Sequence, residues 1–282
     1  MPVRERALDT VAGLLAAGDV LVLTGAGIST ESGIPDYRGP DGLRRVRPMQ
    51  HDEFVGSSDA RRRYWARSFV GWQRMASVRP NAGHLALTRL QRAGRVGSVI
   101  TQNVDGLHQR AGTRDVIELH GALADVLCLT CDARSRRDAL DERMRRDNPS
   151  FVVTDGGIRP DGDVSLHDLD VERFVVPLCE GCGHDTLMPD VVFFGGSVPK
   201  PRVARCMDLT DRASALLVLG SSLQVFSGYR FVRRARANGT PIALITRGPT
   251  RADDDVTVKI DAGLGETLEA LVGRVGVTDG AP

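Results

Sequence analysis

The chain has 282 residues, of which 26% are charged and 41% hydrophobic, and its formal net charge is +1 at pH 7. That length holds one large domain, or a large domain with a smaller appendage, and the near-neutral balance argues against a nucleic-acid or membrane partner. No apolar stretch is long enough to span a bilayer, and Met1-Pro2-Val3-Arg4-Glu5-Arg6 leads into an amphipathic helix rather than a signal peptide, so a cytoplasmic protein is expected.

In chain order, a helix is predicted over Arg4–Ala17, followed by a buried strand, Asp19-Val20-Leu21-Val22-Leu23, ending at Thr24. Gly25-Ala26-Gly27-Ile28-Ser29-Thr30 then stands where a parallel strand turns into a helix. Glycines there let backbone N–H groups approach a pyrophosphate, and a helix N-terminus favours its charge. Gly33 to Pro48, rich in Gly and Pro, reads as a long functional loop. Asp59–Val78 is a helix with Tyr64, Trp65, Phe69 and Trp72 on one broad face, a core stripe. Asn81 is placed to cap the next helix, through Leu90.

Strands are predicted at Val96–Thr101, Asp115–Glu118, Val191–Phe194, Ala215–Gly220 and Pro241–Thr246, with helices at Arg202–Asp211 and Tyr229–Asn238. This alternation points to an α/β fold with a parallel sheet covered on both faces. The polar run Thr101-Gln102-Asn103-Val104-Asp105 lies at the end of an apolar strand, where open α/β sheets hold their ligands. Leu119-His120-Gly121 follows. Taken alone, a histidine in that setting is more often structural than catalytic. Between Cys128 and Cys182 the alternation breaks down into a charged stretch poor in large apolar residues, which reads as an inserted module without a core of its own. The tail, 278–282, is expected to fray.

Four of the five cysteines form two C-x-x-C pairs, Cys128/Cys131 and Cys179/Cys182. Two such turns complete a tetrahedral zinc shell, and four protein ligands leave no position for water, so the metal would be structural. Two disulfides are the competing reading, disfavoured in the cytoplasm. Cys206, on a predicted helix, reads as a small buried residue.

Together these blocks resemble the sirtuins, NAD-dependent protein-lysine deacylases. The resemblance rests on Gly25-Ala26-Gly27-Ile28-Ser29 with Gly33-Ile34-Pro35-Asp36-Tyr37-Arg38, then Thr101 to His108, Leu119-His120-Gly121, the paired C-x-x-C, Pro189 to Gly195, and Gly220-Ser221-Ser222-Leu223. It runs from about Gly18 to Gly265 with every block in family order. Pro48-Met49-Gln50-His51, Arg63 to Trp72, Pro160 to Val164 and Val225 to Phe231 look most like class II, the subgroup of mitochondrial sirtuin four and its bacterial relatives.

The resemblance implies a Rossmann-type NAD-binding domain (1–34, 80–121, 189–277) and a smaller zinc-binding domain built from two insertions, a helical one (35–79) and a zinc module (122–188). It implies NAD and Zn(2+) as cofactors and acylated-lysine proteins or peptides as substrates. Gly25, Ala26, Gly27 and Thr30 would face the pyrophosphate, and Asp36, Tyr37 and Arg38 would belong to a loop closing over nicotinamide. Gln102, Asn103 and Asp105 would surround the nicotinamide ribose and carboxamide. Gly220, Ser221 and Ser222, with Thr246, Arg247, Gly248 and Leu264, would complete the cofactor set. His120 is the implied base, acting with Asn103 and Asp105. After the acyl oxygen attacks C1′ and nicotinamide leaves, His120 deprotonates a ribose hydroxyl, and water finally releases lysine and O-acyl-ADP-ribose. Val192, Phe193, Phe194, Gly195 and Val225 would flank the substrate backbone, with Val192 and Phe193 serving the core as well.

Tyr37 stands where many sirtuins carry phenylalanine, and Thr246 where many carry asparagine. The tyrosine-and-arginine pair associated with succinyl-lysine is not evident around Tyr64 and Arg67. An ADP-ribosyltransferase using the same site is the alternative activity. A non-catalytic sensor would have no need of His120. An ordinary NAD oxidoreductase would require the third glycine that Gly25-Ala26-Gly27-Ile28-Ser29-Thr30 lacks.

Overall fold

The computed structural model describes residues 3–39, 41, 43, 47–151, 159–162, 164 and 171–277. The expected frayed tail, Asp163, and parts of the 33–48 loop and of the 122–188 module lie outside the described residues.

Six strands form a parallel sheet: β1 (Val20–Thr24), β2 (Val96–Thr101), β3 (Val116–Glu118), β7 (Ala215–Leu219), β8 (Ile242–Ile245) and β9 (Val258–Ile260). Their order is β3-β2-β1-β7-β8-β9. All five residues of β1 and of β7 are buried, because helices cover both faces. The two-residue alternation of a strand assigns them to separate cores. Val20, Val22, Leu217 and Leu219 pack with α1 (Val3–Ala17), α4 (Ala82–Arg92) and α9 (Leu264–Arg274). Leu21, Leu23, Leu216 and Val218 pack with α7 (Lys200–Arg212), which contributes Cys206, and α8 (Phe226–Ala237), which contributes Phe231 and Val232. Asn81 caps α4 as expected, its Oδ1 accepting from the N–H groups of Gly83 and His84.

A three-stranded antiparallel sheet, β5-β4-β6, is built from β4 (Gly121–Cys128), β5 (Arg134–Arg136) and β6 (Leu187–Val191). The expected strand at Val191–Phe194 is thus displaced toward the N-terminus. Pro189 lies within it, opposite Val126 and beside the irregular stretch of the β4–β6 pairing; proline is tolerated at such breaks in a ladder.

The expectation that the cysteine module lacks a core is corrected. Its Val126, Leu140, Met144 and Leu187 form one buried cluster with Phe54 of α2 (His51–Gly56) and Tyr64, Trp65 and Phe69 of α3 (Ser58–Ser77). Trp65 Nε1 donates to Leu187 O at 3.0 Å. Arg137, at the start of α6 (Arg137–Asp147), lies buried between Trp65 and Trp72, 5.3 and 5.0 Å from their ring centroids, with Asp141 as its counter-ion. Among the described residues, no helix is long and apolar enough to cross a membrane.

Candidate active site

From β1 the chain proceeds to β2 and β3 on one side of the sheet, and from β7 to β8 and β9 on the other. The crevice between β1 and β7 is therefore a topological switch point, where an open parallel sheet takes its ligand. Its floor is the loop after β1 and the loop after β7, joined backbone to backbone: Gly27 N–H donates to Gly220 O at 2.8 Å. A Cβ on Gly220, whose φ is +62°, would lie 2.5 Å from Ile28 N, and one on Gly27 would lie 2.8 Å from Gly220 Cα. Only glycine permits this approach.

One expectation fails here. Residues 26–28 and 30–32 form two short 3-10 turns, not an α-helix. Gly33, at φ 88°, closes the second turn in the left-handed region, and Pro35 follows. The loop after β1 therefore brings no α-helix N-terminus of its own, and an anion there would be met by the turn's N–H groups and small side chains. Thr30 is exposed, with its hydroxyl bonded back to Gly27 O.

Behind the floor, β2 delivers three polar residues. Gln102 Nε2 donates to Thr24 O and to Ser221 Oγ (2.9 Å), tying β2 to both loops. Gly228 makes room for that side chain, since a Cβ there would lie 2.5 Å from Gln102 Oε1. Asn103 spends its Nδ2 protons on Gly25 O and Ser29 Oγ, and its Oδ1 accepts from no described residue. Ser29 Oγ donates in turn to Asp105 Oδ2 at 2.7 Å, while Asp105 Oδ1 accepts from the N–H of Leu107 at the start of the short helix α5 (Leu107–Arg110). Burial raises the Asp105 carboxyl above its ordinary range, against the pull of those bonds. Ser29 lies within a motif picked out in the sequence, yet its place between Asn103 and Asp105 was not anticipated.

His120 enters at the end of this row, immediately before β4. Its Nδ1 lies 2.9 Å from Gln102 O. A carbonyl oxygen only accepts, so Nδ1 carries the proton and Nε2 keeps the lone pair. Ser227 Oγ lies 2.8 Å from Nε2 and donates to it. Desolvation lowers the ring's pKa, with help from the charges of Arg202 and Arg230 and against the bond to Gln102. The result is a neutral imidazole with its basic nitrogen fixed in direction.

A second, fully buried histidine pair lies beneath the floor. Thr24 Oγ1 donates to Thr101 Oγ1, so His108 Nε2, 3.0 Å away, must donate to Thr24. The rings of His84 and His108 meet edge to face at 5.0 Å. Burial lowers their pKa values to about 4 and about 3, respectively. Both lie below the value of about 6.5 for a free imidazole, so unfolding takes up protons below neutrality. The stability the neutral pair confers is complete above about pH 6.5 and is lost as pH falls toward the folded values. Unfolding free energies from urea titrations are expected to drop between pH 7 and 5 with a slope approaching about 1.4 kcal/mol per pH unit per histidine, roughly halved in His84→Gln. An unchanged slope in that variant would contradict a neutral buried His84.

The remaining predicted positions divide. Tyr37, in the loop with Asp36 and Arg38, meets Phe194 edge-on at 5.4 Å. Val192 N–H donates to His120 O at 2.7 Å, and Gly195 (φ 82°) ends that turn. Val225 is 42% exposed at the N-cap of α8. Thr246 follows β8, with Arg247 and Gly248 after it; Thr246 N–H is held by Ile260 O and Gly248 N–H by Asp261. Two side chains point away from the crevice: Phe193 packs between Phe54 and Tyr64, and Leu264 lies in the apolar core at the start of α9.

The four C-x-x-C cysteines converge. Their Sγ atoms lie within 4.8 Å of one another, with Cys128–Cys182 at 3.6 Å and Cys131–Cys179 at 3.7 Å. A tetrahedron with metal–sulfur bonds of about 2.3 Å has edges of about 3.8 Å, so this spacing fits zinc. It is far too wide for disulfides, which need about 2.05 Å. β4 starts beside His120 and ends at Cys128, roughly 20 Å away at strand spacing. A metal there cannot touch the chemistry at the crevice.

Comparison with known proteins agrees with this geometry. The model described as Sir2 family matches residues 25–227. The chain is 50% identical over 274 residues to an NAD-dependent protein deacetylase 1 from Streptomyces coelicolor, covering 97% of this chain and 91% of that protein. It is 48% identical over 256 residues to the NAD-dependent protein lipoamidase sirtuin-4, mitochondrial, from Bos taurus, covering 89% and 81%. A solved Sir2 structure with deacetylated p53 peptide and 3′-O-acetyl ADP ribose superposes with a TM-score of 0.76 at 30% identity, covering 96% of this chain and 99% of that one. The chain belongs to the Sir2 family.

Proposed function

We propose that this protein is an NAD-dependent protein-lysine deacylase. The observation that carries the reading is the tautomer of His120: Nδ1 is committed to Gln102 O, the carbonyl just before Asn103, which leaves Nε2 as a base fixed in direction. When bound, NAD supplies a cleavable glycosidic bond to nicotinamide and a ribose whose hydroxyl can receive an acyl group. The glycine floor, with Ser221 and Ser222, accommodates the diphosphate, and Thr246, Arg247, Gly248 and the backbone at Leu264 border the adenosine end. Gln102, Asn103 and Asp105 would hold the nicotinamide end and its ribose, and Asp36, Tyr37 and Arg38 would shield them from water. His120 Nε2 takes the hydroxyl proton, for which Ser227 must turn aside.

Val192 to Gly195, just past the end of β6, and Val225, at the N-cap of α8, would flank the acyl-lysine backbone, whose main-chain groups can be held independently of sequence. Residues 1–34, 80–121 and 189–277 act as the cofactor-binding unit, and 35–79 with 122–188 as the smaller one. Four cysteines arranged for one metal ion rather than for two disulfides support a reducing compartment such as the cytoplasm. The test is NAD consumption across a panel of acyl-lysine peptides. Turnover of at least one chain length is expected; consumption indifferent to every peptide would remove the reading.

A further inference from the structure

Around Ser227, the partner of the base, the start of α8 carries an exposed aromatic ring ringed by arginines. Phe226 is 45% exposed, and the guanidinium groups of Arg230, Arg233 and Arg251 lie 5.4, 5.9 and 5.9 Å from its ring centroid. Arg251 also stands 4.5 Å over Tyr229. Cations gathered on aromatic faces are held in place while their N–H forks stay open to a carboxylate.

The helix, FSGYRFVRRARA, holds no acidic residue to neutralise them. Arg234 and Arg236 are engaged by Asp211 and Asp255. Arg230, Arg233 and Arg251 form no ion pair among the described residues, and the neighbouring Asp253 is taken by Lys259. The cluster adjoins the site on both sides: Val225 precedes Phe226, and Ser227 after it bonds His120 Nε2.

We infer that Phe226 with Arg230, Arg233 and Arg251 is a specificity surface for substrates bearing Asp or Glu within about two to four residues of the acyl-lysine, the reach of an extended chain at about 3.3 Å per residue across this patch. The inference rests on the deacylase reading, whose substrate class it narrows. Exposed ion pairs contribute little singly, so two acidic residues should improve kcat/KM roughly fivefold, through KM. The preference should vanish near 1 M salt, where charges are screened within about 3 Å.

The experiment compares matched acyl-lysine peptides, with flanking glutamates or with glutamines, at saturating NAD. Wild type should prefer the glutamate peptide at low salt. Arg233→Glu and Arg251→Glu should remove or invert that preference while leaving kcat on the glutamine peptide and KM for NAD unchanged. Equal kcat/KM for the two peptides in wild type overturns the inference, as does a preference that survives both charge reversals or a change confined to KM for NAD. Turnover of neither peptide would instead remove the deacylase reading. Fluorescence anisotropy of the same labelled peptides then decides the inference alone: tighter binding of the glutamate peptide supports it and equal binding overturns it.

Discussion

Stripping the metal from the four-cysteine site will unfold the smaller unit while the six-stranded sheet persists. Structural zinc contributes apparent binding energies of about 10–16 kcal/mol. Each large apolar side chain buried in the shared cluster is worth only about 1.5–3 kcal/mol, against an ordering cost of about 1–2 kcal/mol for every residue fixed. The cluster around Phe54, Trp65, Leu140 and Met144 therefore supplements the metal without replacing it. Both tryptophans of the chain, Trp65 and Trp72, lie on α3 against Arg137, so intrinsic fluorescence reports on this unit alone. A strong chelator, or Cys128→Ser, should shift tryptophan emission to the red and abolish turnover, yet leave most far-UV dichroism of the parallel sheet. One zinc per chain is expected by elemental analysis. Metal-free protein with unshifted emission and full activity would contradict this division.

His120→Ala should lower deacylation by about 10²–10⁴-fold, the usual contribution of a positioned base, with little change in melting temperature or in KM for NAD. The ring is only partly buried and anchors no apolar cluster, so its loss should be chemical rather than structural. In wild type, turnover should rise with pH as His120 loses its proton. Because burial lowers its pKa, that acid limb should fall below the value of about 6.5 for free imidazole. Ser227→Ala removes the donor to Nε2 and should spare most activity, which separates the base from its partner.

Much of this molecule was legible in the sequence because its signals are local. The central strands β1, β7 and β8 are continuous apolar runs, Asn81 precedes its helix, and the C-x-x-C pairs carry their own ligand spacing, whereas the short edge strand β9, Val258-Lys259-Ile260, went unread. What escaped depends on contacts distant along the chain. Ser227 reaches His120 across 107 residues and Ser29 reaches Asp105 across 76, so neither role could be read from neighbours. The cysteine module looked coreless because its apolar residues close into a cluster only with Phe54, Tyr64, Trp65, Ala66 and Phe69 of α2 and α3. A helix after Gly25 was expected from the strand-then-glycine pattern, but left-handed Gly33 and Pro35 cut it to 3-10 turns. Leu264 and Phe193, which the resemblance implies for the site, have side chains that fill the core.

Product analysis of one reaction bears most directly on the central claim. Wild-type protein, NAD and an acyl-lysine peptide should yield, by mass spectrometry, free lysine peptide and O-acyl-ADP-ribose in proportion to the nicotinamide released, with the acylated product missing in His120→Ala. Nicotinamide release with the acyl group still on the peptide and ADP-ribose attached to a protein side chain would contradict it, and would assign the crevice to ADP-ribosyl transfer instead.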